Sequence, residues 1–145
     1  MTTQNTAHSP VDSPDRTQRP SPDRLTVGAA IALLVISGLH TAVFAFHPWW
    51  DDWLAGPFRT AQLPMESVVQ FWGLPGGFVV PGLLLALLIL RAGRRGHVVP
   101  AYVGIILGAW ALSCVWIVGP SGFLLLLVPT TLLLVASGRA RRRAR

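Results

Sequence analysis

The chain alternates between four long uncharged stretches and short segments that hold all of its Asp, Glu and Arg residues. The uncharged runs are Leu25 to Phe46 (LTVGAAIALLVISGLHTAVFAF), Val68 to Leu90, Val98 to Val118 and Ser121 to Gly138. A helix needs roughly 20 mostly apolar residues to cross about 30 Å of hydrocarbon. The 22 residues of the first run reach about 33 Å at about 1.5 Å per residue. Four helices that are apolar all round leave no polar shell in which to bury them. The pattern predicts an all-α integral membrane four-helix bundle, with spans at about 25–46, 68–90, 98–118 and 121–138. The fourth run is the shortest and is the candidate for a re-entrant segment. The first is longer than the apolar region of a signal peptide and follows a polar tail, which argues against cleavage.

Residues 1–20 are polar and rich in Pro, Ser and Thr, a composition that cannot offset the entropy of ordering; they are expected to be a disordered tail. Ser13-Pro14-Asp15-Arg16 recurs as Ser21-Pro22-Asp23-Arg24. The second copy reads as a helix start, with Ser21 as the cap, Pro22 in the first helical position and Asp23 at the positive end of the dipole.

Charge then sets the expected topology. The 12 cationic residues are all Arg, against 6 acids, for a net charge of +6. With four spans, Arg16, Arg19, Arg24, Arg91, Arg94, Arg95, Arg139, Arg141, Arg142, Arg143 and Arg145 share one side, and only Arg59 lies opposite. Short loops rich in Arg stay in the cytoplasm, so both termini are expected there. The basic tail at 139–145, with Arg139, Arg141, Arg142, Arg143 and Arg145, suits contact with anionic lipid. A hydrophobic content of 52% with 12% charged residues speaks for the membrane rather than nucleic acid, since no structured reader accompanies the basic residues.

Inside the runs, Gly and Pro mark where helices bend or meet. Span two carries Pro75, Gly76, Gly77, Pro81 and Gly82, which predicts a kink or a helix that starts only near Leu74. Span three carries a GxxxG pair, Gly104 and Gly108, suited to close packing within the chain or between copies. Span four follows Gly119-Pro120-Ser121-Gly122, a tight turn after which Pro120 can start the helix. Pro129 then falls near the middle, where Thr130 and Thr131 can bond to backbone carbonyls.

No Asp, Glu, Lys or Arg is predicted within a span; His40 is the exception among the residues that carry charge near neutral pH, and such a residue must face the bundle or water. Ser37, Thr41 and Phe44 are close along the helix, and Trp72 completes a candidate ligand site with His40, Ser37 and Thr41. The alternative role for His40 is a plain interhelical hydrogen bond, with Ser113 as one partner considered. Asp51, Asp52 and Glu66 of the outer segment are the carboxylates that an enzymatic reading would pair with His40. Trp49, Trp50 and Trp53 suit an interfacial aromatic belt. No metal-binding, nucleotide-binding or catalytic-triad motif occurs, and no cofactor is implied. Cys114 is the only cysteine, so no intrachain disulfide is expected.

Gly38-Leu39-His40-Thr41, Phe71-Trp72-Gly73, Arg94-Arg95-Gly96 and Pro120-Ser121-Gly122-Phe123 occur in this order across residues 25–137. In that ordered set the chain resembles a family of small bacterial four-span membrane proteins of unknown function. In span count it is also similar to the DoxX-like membrane proteins. The resemblance implies a plasma-membrane four-helix bundle and carries no activity. The leading expectation is a non-enzymatic protein that packs against itself or other membrane subunits. The alternatives are a binder of a lipophilic small molecule, a quinone or lipid, around His40, and a membrane enzyme using His40 with an outer carboxylate.

Overall fold

A computed structural model of the chain describes residues 21–46, 50 and 65–145, and every regular element among them is helical. Helix α1 spans Arg24–Phe44, α2 Met65–Phe71, α3 Val79–Arg94, α4 Ala101–Val118 and α5 Leu127–Arg143. A π-turn, Trp72–Gly76, joins α2 to α3, and a 3-10 turn, Gly122–Leu126, leads into α5. Taken through these turns, the chain forms four rods. Arg24–Phe44, Val68–Arg94 and Gly122–Arg143 are long and apolar enough to cross a membrane. The shortest rod is α4, at about 27 Å for its 18 residues. It starts late because Val98–Pro100 is not helical and Pro100 disfavours helix in the residue before it. The short element is therefore the third, whereas the sequence pointed to the fourth.

The start of α1 also differs from expectation. The cap is Asp23, not Ser21: its carboxylate accepts the Thr26 amide at 2.9 Å. The Asp23 amide in turn donates to the Gly93 carbonyl at 2.9 Å, tying the start of α1 to the end of α3. That second bond requires an extended residue at 23, so Pro22 stays outside the helix.

Helices α1 and α3 run antiparallel along a seam of small residues. Thr26, Ala30, Leu33 and Ser37 are buried on α1, and Gly82, Ala86, Ile89 and Gly93 face them from α3. Both sets follow the same 4-3-4 spacing, which keeps one stripe of a helix on its neighbour. The ends fix the register: a Cβ on Gly93 would stand 3.0 Å from the Val27 amide nitrogen, and one on Gly82 would stand 3.1 Å from Ser37 Oγ. Close backbone approach of this kind drives helix association where both surroundings are apolar. The hydroxyls of Thr26 and Ser37 have no hydrogen-bond partner among the described residues, so these residues serve the seam by their size.

The GxxxG pair of α4 is used within the chain. A Cβ at Gly104 would stand 3.1 Å from Leu134 Cγ, and one at Gly108 would stand 2.8 Å from Thr130 Cγ2. Helix α5 thus packs on α4 through these glycines, and on α1 along its other side. Ser137 of α5 donates to the Val99 carbonyl at 2.8 Å, satisfying the unwound residues ahead of α4. Around Pro129 only Thr131 bonds back, to the Leu127 carbonyl at 2.7 Å, while the Thr130 hydroxyl has no partner. Pro129 lies within the rod Gly122–Arg143, as the sequence indicated, just past the point where the 3-10 turn gives way to α5 at Leu127. Its missing N–H thus falls where the helix changes from the 3-10 to the α register.

The helix order across the bundle is α3, α1, α5, α4. Contact between α3 and α4 would close the ring, but a cleft of about 340 Å³ lies between them, lined by Pro81, Leu85, Tyr102, Val103 and Ile106. The alternating directions bring the start of α1, the end of α3, the start of α4 and the end of α5 to one end. Every arginine among the described residues lies at that end, and α5 stays helical through Arg143, placing Arg141 to Arg143 on its negative pole.

Gly93→Ala should destabilise the protein in detergent by about 1–3 kcal/mol, because the new methyl meets the Val27 backbone. Gly138→Ala, with open space at the Cβ position, should leave thermal unfolding unchanged or slightly raise it.

Candidate functional site: a histidine-lined cavity

His40 stands 16 residues beyond Arg24 on α1, about 24 Å up the helix from the arginine end. Its Nε2 lies 3.0 Å from the carbonyl oxygen of Gly73. A carbonyl only accepts, so Nε2 carries the proton of this bond.

The acceptor is available because of the π-turn. Pro75 carries no amide hydrogen, and over Trp72–Gly76 the backbone widens to the i→i+5 register. In that register the Gly77 amide belongs to the Trp72 carbonyl, leaving Gly73 without its usual helical donor. Gly77 is required for the turn, since a Cβ there would run into the Trp72 carbonyl. His40 supplies the missing donor from the neighbouring rod. The sequence indicated an interhelical bond for His40, but not its partner; Ser113, one partner considered, instead bonds to the Ala109 carbonyl of its own helix at 2.9 Å.

Around the imidazole, aromatic rings join all four rods. His40 meets Phe44 edge-on at 5.3 Å between ring centroids and Phe78 at 4.8 Å, with Phe123 tilted at 6.3 Å. Phe78 stacks on Trp110 at 5.7 Å, and Phe123 closes on Trp110 at 6.1 Å. Edge-to-face and offset pairs at these spacings contribute about 0.5–1.5 kcal/mol each beyond their buried area.

A cavity of about 520 Å³ opens beside this cluster, bounded by α1 from Ile36 to Phe44, by Phe78, and by Ser121 to Leu126. Its size suits a small organic ligand. Phe78 and Leu126 also border the cleft between α3 and α4, so they form the wall between the two spaces. Among the described residues that line it, only His40 and Ser121 have polar side chains. Ser121 precedes the 3-10 turn at the capping position but makes no cap; its hydroxyl is sealed from the open space and has no partner among the described residues.

Of the ligand candidates named from sequence, His40 alone lines this cavity. Ser37 is buried against Gly82, and its carbonyl accepts from Thr41 Oγ1 at 2.9 Å. Trp72 is 62% exposed and packs edge-on against Phe71 outside the cavity. Glu66 is exposed in the first turn of α2, while Asp51 and Asp52 lie outside the described residues, as do His47, Trp49, Trp53, Arg59 and the tail at 1–20. Trp50 closes α1 by donating to the Phe44 carbonyl at 3.2 Å. Phe78, Ser121 and Phe123 come from distant segments, and no spacing links them to His40; Phe44, one turn away on α1, was legible. Among the described residues no three His, Cys, Asp or Glu side chains gather to hold a metal. No protein-family model, curated protein or solved structure matches the chain.

His40→Leu should leave the Gly73 carbonyl without its donor and lower stability by about 1–3 kcal/mol. Hydrogen exchange should show the loss concentrated at Gly73 to Phe78, with the α1–α3 seam near Gly93 still protected.

Proposed function

We propose that this is a multi-pass plasma-membrane protein that crosses the bilayer four times, keeps both termini in the cytoplasm, and binds a lipophilic small molecule beside His40. The observation that carries the binding reading is the cavity of about 520 Å³ in the half of the bundle away from the arginines, where the imidazole of His40 borders a space lined by Leu39, Val43, Phe44, Phe78 and Phe123. A mostly apolar concavity with a polar group to orient the occupant is the usual form of a small-molecule site. The packing role first expected from sequence loses its specific support, because Gly104 and Gly108 are spent against Leu134 and Thr130 of the same chain. An enzymatic role has no carboxylate placed against His40 among the described residues.

Topology rests on the gathering of arginines at one end. Arg91, Arg94 and Arg95 end α3, and Arg139, Arg141, Arg142, Arg143 and Arg145 end the chain; they meet the anionic cytoplasmic leaflet, at about 1 kcal/mol per residue near the surface. The resemblance to small bacterial four-span proteins is in keeping with this arrangement and adds no ligand.

Tags at either terminus should be digested by protease in inverted membrane vesicles and protected in right-side-out ones; protection of one terminus in each preparation would mean an odd number of spans. Native mass spectrometry of the gently extracted protein should release an apolar molecule that is absent from His40→Ala. Identical clean spectra from both proteins would count against a bound ligand.

A further inference from the structure

The ligand's chemistry follows from which polar atoms on the cavity wall are already used. This step rests on the binding reading above and deepens it. The Nε2 proton of His40 is committed to Gly73, 3.0 Å away. In the neutral ring Nδ1 is then a bare acceptor, and among the described residues no other hydrogen bond engages the imidazole. Three aromatic rings surround it, and the other described side chains on the wall are apolar apart from Ser121, whose hydroxyl is sealed off from the open space. In an apolar setting an acceptor such as Nδ1 is costly unless a partner reaches it.

We infer that the cavity selects a membrane-soluble phenol or hydroquinone, whose O–H donates to His40 Nδ1 while its ring packs against Phe44, Phe78 and Phe123. A fatty acyl chain would fill the same volume but leave Nδ1 unpaired. A quinone in its oxidised form offers only acceptors and leaves Nδ1 unpaired as well. The site therefore discriminates for the hydroxylated form.

Two probes of nearly the same shape separate these cases: 1-naphthol, which carries the O–H, and 1-methoxynaphthalene, which lacks it. Both would be titrated into the purified full chain in detergent micelles, with empty micelles as the reference. The readouts are probe fluorescence and the Nδ1 resonance of protein labelled with ¹⁵N-histidine. The expected result is at least about tenfold tighter binding of 1-naphthol, equivalent to about 1.4 kcal/mol, with a shift of the Nδ1 resonance that the methoxy probe does not produce. The resonance is read on the unsubstituted protein, so the result does not depend on a variant folding. Equal binding of the two probes would overturn the hydroxyl inference and leave the cavity reading standing. Binding of neither above empty micelles would overturn both.

Discussion

The close antiparallel seam between α1 and α3 is the contact on which the rest of the bundle depends. Lipid is as apolar as a leucine side chain, so burying leucines does not by itself bring helices together. What holds these two is backbone proximity, made possible by Gly82, Ala86 and Gly93 on one side and by Ala30 and Ser37 on the other. The Asp23 amide, bonded to the Gly93 carbonyl, pins the seam at the arginine end. With α1 fixed against α3, the other face of α1 receives α5, and α5 carries α4 on its own glycine-facing surface.

The far end of the same pair is built differently. Beyond Gly82 the chain meets Gly77 and Pro75, and the regular ladder gives way to the π-turn. One helical carbonyl is lost from the ladder and recovered by His40, a bond between rods in place of one within a rod. Bulges of this kind let a helix change direction, and they often occur at functional sites. Here the turn holds Phe78 over the imidazole and opens room on the side of α1 that faces Ser121 to Leu126. The structural role of His40 and its place on the cavity wall are thus not competing accounts. The structural bond fixes the ring and its tautomer, which gives the remaining nitrogen a defined chemistry.

The open order of the helices matters for access. Because α3 and α4 leave a cleft between them, the aromatic cluster of Phe78, Trp110 and Phe123 is the main bridge across that side of the bundle. Rotation of Phe78 or Leu126 would join the cleft to the His40 cavity, since those side chains are the wall the two spaces share. The His40 cavity also opens outward past Leu39, Val43 and Leu125, whose side chains are exposed.

The sequence by itself determined that the chain is helical, where its apolar rods lie, that His40 sits within one of them, and that the arginines of the described residues fall at one end. These properties follow from composition and spacing along single helices, and each is legible one segment at a time. Tertiary structure alone decided which helices touch. The 4-3-4 stripe on α1 becomes visible only beside its counterpart on α3, because alanine, serine and threonine occur throughout apolar helices and mark a contact only when a partner approaches. GxxxG was legible as a packing motif, yet nothing local distinguishes a partner within the chain from a second copy. The acceptor for His40 was beyond reach for a sharper reason. It is a backbone carbonyl, which every residue has, and it becomes free only where a π-turn diverts the donor. Pro75 and Gly77 announced a disturbed helix; whether that disturbance became a kink, a late start or a bonded bulge depended on a side chain 33 residues earlier in the chain.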